Sequence, residues 1–137
     1  MPAPKWSYPT LEGEQIALDD LKGKLVYIDV WATWCGPCKA EIPALAKLHE
    51  DYKDSDLTII SVSVDDNKKA WEKMLAEEGF EWLQVHAEKA WNSDIIKENQ
   101  IRGIPRFMLV DKEGNIISVN APRPSSENIR EYLESYL

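Results

Sequence analysis

The chain carries two stretches in which polar positions almost vanish. KLVYIDVWA, residues 24–32, is dense in β-branched, aromatic and aliphatic side chains, the texture of a strand buried on both faces. Only Asp29 interrupts it. LTIISVSVD, residues 57–65, has the same texture. Between them Ile42, Leu45, Ala46, His49 and Tyr52 recur at helical spacing, which predicts a helix over about 36–53, kinked at Pro43. Ala70, Trp71, Met74 and Leu75 mark one face of a second helix that Gly79 ends. EWLQVH, 81–86, reads as a short strand. NSDIIKENQ reads as a short helix capped by Asn92 or Ser93.

RFMLVD, 106–111, is a further strand, KEGN a hairpin turn, and IISVN the returning strand. Ile129, Tyr132, Leu133, Tyr136 and Leu137 line a last helix, with Ser125 or Ser126 as its cap. Near the start, Pro2, Pro4, Pro9 and Gly13 predict an irregular lead-in, and Gln15–Leu18 a short strand. Strands that alternate with helices predict a parallel core, and the late hairpin adds an antiparallel strand. The expected class is α/β: a central mixed sheet with helices on both faces, as one domain over residues 2–137.

Composition changes this picture little, and charge narrows it. A net charge of −8 disfavours nucleic acid as a partner. No apolar run approaches the roughly 20 residues of a membrane helix. MPAPKWSYP lacks the apolar region of a secretory signal, which leaves two readings: a cytosolic protein, or the mature form of an exported one.

The chemistry is carried by two cysteines, Cys35 and Cys38, in VWATWCGPCKAEIP. Two cysteines cannot build a disulfide scaffold, and a loop this short gains little from closure. Cys35 falls where a buried strand turns into a helix, and N–H groups and the helix dipole there favour a thiolate. The sequence therefore predicts an exposed, nucleophilic Cys35 and a shielded Cys38 in reserve. Gly36 and Pro37 shape the turn, and Pro37 is tolerated at a helix start. A metal site needs about four ligands, and only His49 and His86 could join the pair, so no metal and no cofactor are expected.

WCGPCK, residues 34–39, resembles the active-site signature of thioredoxins. VYIDVWATWCGPCK is similar to the strand that leads into that site, with Asp29 at the buried acid. Pro43 matches the helix-kinking proline, and IRGIP, 101–105, resembles the segment that holds the cis-proline. The N-terminal lead-in and helix–strand material around 67–90 resemble the TlpA/ResA branch, in the AhpC/TSA–Redoxin group. The resemblance implies a thioredoxin fold with an N-terminal extension and a central helix–strand insertion. It also implies a thiol:disulfide oxidoreductase acting outside the cytoplasm, as a monomer, on protein disulfides, recharged by an upstream thiol reductant.

By the same resemblance Pro105 follows a cis bond and Ile104 offers backbone groups to an extended substrate. Trp34, Gly36 and Pro37 border the groove. Asp29, raised in pKa by burial, takes the Cys38 proton. Ser61 stands where thioredoxins often place a lysine, and Asn120 where they place a loop glycine. Asp65 or Asp66 is read as the cap of the next helix, with a second carboxylate near the site as the alternative. Two other functions stay open. One is a peroxidase, for which Thr33 lies near Cys35 and Arg102 and Arg106 flank the proline loop; the other is a non-catalytic binding module.

Overall fold

A computed structural model describes all of residues 1–137. Five strands form one sheet in the order β5(Leu83–His86), β4(Leu57–Ser63), β3(Leu25–Trp31), β6(Arg106–Val110), β7(Ile116–Ser118). β3, β4 and β5 are parallel, and β6 and β7 add antiparallel partners. Ahead of them β1(Ser7–Pro9) and β2(Gln15–Ala17) pair as a separate hairpin.

The apolar runs have no visible alternation because both faces of the sheet are covered. Val26, Ile28 and Val30 of β3, Ile60 and Val62 of β4, and Met108 and Val110 of β6 point into one core. Trp71 and Leu75 of α3(Lys68–Glu78), Ile95 and Ile96 of α4(Asp94–Glu98), and Trp6 and Tyr8 beside or within β1 complete it. Leu25 and Tyr27, Leu57 and Ile59, and Phe107 and Leu109 point the other way. There they meet Leu45 and Leu48 of α2(Ile42–Tyr52) and Ile129 and Leu133 of α5(Ile129–Glu134). Period-two side-chain direction is thus intact, with apolar residues on both sides.

The helix expected over 36–53 is two helices. α1(Gly36–Ala40) ends at Glu41, and α2 starts at Ile42. Pro43 has no N–H to continue the ladder, so the break falls just ahead of it. Gly79 ends α3 with φ +60°, a left-handed backbone that glycine adopts freely, and its N–H reaches the Leu75 carbonyl.

Two expected caps differ. α3 is capped by Asn67, whose side chain accepts from the Ala70 N–H, and not by Asp65 or Asp66. α5 starts after Asn128, and Ser125 is engaged elsewhere. Ser93 does precede α4, without a side-chain cap bond.

Candidate functional site

Parallel β3, β4 and β5 bring their C termini to one end of the sheet, and antiparallel β6 starts there. The two cysteines leave β3 at this end. Ala32 O accepts from the Cys35 N–H at 3.1 Å, closing a tight turn, and Cys35 caps α1 with its Sγ accepting from the Cys38 N–H at 3.2 Å. The sulfurs are joined as a disulfide, with Cα atoms 5.2 Å apart.

Exposure separates the two cysteines less than the sequence predicts. Cys35 is 5 % exposed and Cys38 3 %, so in the disulfide form both are buried. What distinguishes them is position. Cys35 stands at the cap between exposed Trp34 and exposed Gly36 and Pro37, and Cys38 lies inside the first turn. Trp34 is 59 % exposed, whereas Trp31 packs inward, edge-on to Phe80.

Across the sheet, Val30 pairs with Arg106, which sets the 101–105 loop against the same end. The Ile104–Pro105 peptide is cis. Both residues are half-buried, and neither the N–H nor the carbonyl of Ile104 has a backbone or side-chain partner in the chain.

Asp29 is 6 % exposed on β3, in register with Ser61 of β4 and Phe107 of β6. Ser61 Oγ donates to its carboxylate at 2.7 Å, and Trp82 Nε1 donates to Ser61 Oγ at 2.8 Å, so the hydroxyl's one hydrogen is directed at Asp29. Burial pushes the Asp29 pKa up to about 7. The Ser61 bond opposes that rise, and the charge of Glu41 adds to it.

Glu41 is the residue that sequence reasoning missed. It sits at the break between α1 and α2, is 7 % exposed, and accepts from the Ser125 N–H at 3.0 Å and the Ser125 hydroxyl at 2.8 Å. Glu41 is the buried carboxylate whose charge acts on Asp29, and of the two aspartates offered as a second carboxylate near the site only Asp65 is buried there, against Thr33. Asp66 is exposed. Asp65 is 1 % exposed and holds the strand exit, accepting from the Thr33 N–H, the Thr33 hydroxyl at 2.6 Å and the Ser63 hydroxyl. That commits the Thr33 hydroxyl hydrogen to Asp65 and denies it to a peroxide at Cys35.

His86, the last residue of β5, is buried, stacked on Trp71 and bonded through Nε2 to the Asp65 carbonyl. His49 is half-buried beside Trp82. Neither histidine joins the cysteines, and no group of three or more His, Cys, Asp or Glu side chains is placed to hold a metal. A cavity of about 540 Å³ opens at the opposite end of the sheet, between the β1–β2 hairpin, α2 and residues 80–84, and includes neither cysteine.

Residues 1–134 match the Redoxin family. The thiol-disulfide oxidoreductase ResA of Bacillus thuringiensis subsp. konkukian is 32% identical over 132 residues, 96% of this chain and 75% of the relative. Among solved structures, the thioredoxin domain of a thiol-disulfide oxidoreductase from Bacteroides vulgatus superposes with a TM-score of 0.88 at 32% identity, covering 99% of this chain and 95% of that one. A second B. vulgatus crystal structure is 42% identical with a TM-score of 0.92, covering 99% and 94%. The mixed five-stranded sheet with helices on both faces is the thioredoxin fold.

Proposed function

Because this chain belongs to the Redoxin family and is a thiol-disulfide oxidoreductase, we propose that it works as a reductase of protein disulfides, with Cys35 attacking and Cys38 resolving. The observation that carries this reading is the bonded Cys35–Cys38 pair at the start of α1, beside an exposed Trp34.

In the reduced protein the Cys35 thiolate attacks one sulfur of a substrate disulfide and displaces the other as a thiolate, leaving a mixed disulfide. Cys38 gives its proton to Asp29, through water, and attacks Cys35 Sγ. The bond to the substrate breaks, and the substrate leaves with both sulfurs reduced. Two electrons have passed to the substrate, and the protein holds the disulfide seen here. An upstream thiol reductant restores the dithiol. A carboxyl with a pKa of about 7 suits Asp29 to both halves of this exchange near neutral pH.

Ile104, with its backbone groups unpaired, and Pro105 bind an extended substrate segment, and Trp34, Gly36 and Pro37 border it. Residues 2–137 act as one thioredoxin-like domain, supported by the five-stranded sheet that both cores share. The protein works as a monomer outside the cytoplasm, in keeping with the TlpA/ResA pattern. No helix is long and apolar enough to cross a membrane.

Equilibration with glutathione tests the direction. The proposal expects a potential near the thioredoxin value of about −270 mV, with an insulin-type disulfide turned over faster than hydrogen peroxide. A value near the oxidising limit of about −120 mV would overturn it.

A further inference from the structure

The charge of −8 is distributed very unevenly between the two ends of the sheet. The segments that emerge at the redox end are 33–40, 65–69, 87–90, 101–106 and 119–128. They carry Lys39, Lys68, Lys69, Lys89, Arg102, Arg106 and Arg123, against four carboxylates, exposed Asp66, Glu88 and Glu127 and buried Asp65. Neighbouring α4 adds Asp94 and Glu98 against Lys97, which leaves the end cationic. None of the seven cations is in an ion pair.

The opposite end is the reverse. Its turns, 10–15, 18–24, 53–57, 77–81 and 111–114, hold eleven carboxylates and four lysines. All four lysines are paired: Lys22 with Asp19, Lys24 and Lys112 with Asp56, and Lys53 with Glu50.

Distance decides which end a partner feels. The seven residues of β3 span roughly 23 Å. Charges are screened over about 8 Å at physiological salt, so the acidic end lies nearly three screening lengths from the disulfide. A docking polypeptide meets the local cations and not the net charge.

We infer that the redox end is a docking surface for acidic polypeptide, a substrate segment whose disulfide is flanked by Asp or Glu. This rests on the reading of protein disulfides as substrates. The surface supplies three complementary parts. Trp34 is an exposed aromatic anchor, the free N–H and carbonyl of Ile104 can pair with an extended backbone, and Lys39, Lys68, Lys69, Lys89, Arg102 and Arg123, exposed and outside any ion pair, supply cations for the flanking carboxylates. Steering of this kind acts mainly on the encounter rate, and salt weakens it.

The test uses the reduced full chain and three synthetic peptides with one shared disulfide core, flanked by Glu, by Lys or by Ser. Second-order rates of reduction are followed from low salt to about 0.5 M NaCl. The Glu peptide is expected to react about tenfold faster than the Lys peptide at low salt, and within about twofold at high salt. The double substitution Lys69→Glu with Arg102→Glu should abolish or reverse that preference, while its rate on bis(2-hydroxyethyl) disulfide, small and uncharged, stays unchanged. Equal rates at every salt, a faster Lys peptide, or a preference the double variant leaves intact would overturn the inference alone. Failure to reduce any of the three peptides would overturn the reductase reading and this inference with it.

Discussion

At the scale of single residues, a carboxyl enclosed in β3 makes stability depend on pH. Asp29 has a pKa of about 7 in the fold, against an unfolded value near 3.9. Between those values the folded chain keeps a proton that the unfolded chain has lost. Stability therefore falls as pH rises from about 4 to about 7, and levels off above. Asp29→Asn removes this dependence. The oxidised variant should gain about 2–4 kcal/mol over the parent at pH 8 and little at pH 4, read from urea midpoints. Ser61→Ala takes away a bond to the charged form and should carry the fall to higher pH. A gain from Asp29→Asn that does not change with pH would contradict this account. Asp29 was legible in the sequence as the single charge within an apolar run. Glu41 was not, because a glutamate after Lys39 and Ala40 looks like any solvated helix residue. It becomes buried only when the 122–125 loop packs over it and Ser125 binds both of its oxygens.

At the scale of elements, the turn that presents Cys35 is tied to the neighbouring strand. Asp65, just past β4, satisfies the Thr33 N–H and the hydroxyls of Thr33 and Ser63 at once. Asp65→Ala would leave these groups unpaired in a closed site and should cost about 2–4 kcal/mol. Thr33→Val, which loses one hydroxyl bond, should cost about 1 kcal/mol. Chemical denaturation of the oxidised variants measures both, and a loss below about 0.5 kcal/mol for Asp65→Ala would contradict the assignment. The central strands were legible because a short, continuous apolar run rich in Val and Ile suits a strand covered on both faces. The caps were less so. Ser125 and Asp65 are ordinary capping residues by type, and each is used in a contact distant along the chain, with Glu41 and with Thr33. Local sequence leaves open which of two partners a short polar side chain takes.

At the scale of the whole molecule, one sheet separates two apolar cores and gathers loops from distant parts of the chain at one end. The alternation of apolar runs with helical periodicity was enough to read the mixed α/β architecture, and the resemblance of WCGPCK and IRGIP to thioredoxin segments pointed to the redox end. The polarity of charge along the sheet was hidden, since its cations come from five segments that only the topology assembles. Cys35 is also less exposed than the sequence predicts, since in the disulfide form both cysteines are buried. Their inequality should therefore be tested in the dithiol form. The most direct measurement is the rate of alkylation of each cysteine in the reduced protein as a function of pH, resolved by mass spectrometry of peptides. The account predicts that Cys35 reacts first, with a pKa well below the free value of about 8.5, while Cys38 stays protected at neutral pH. Equal and slow reaction of both sulfurs at pH 7, or faster reaction of Cys38, would contradict it.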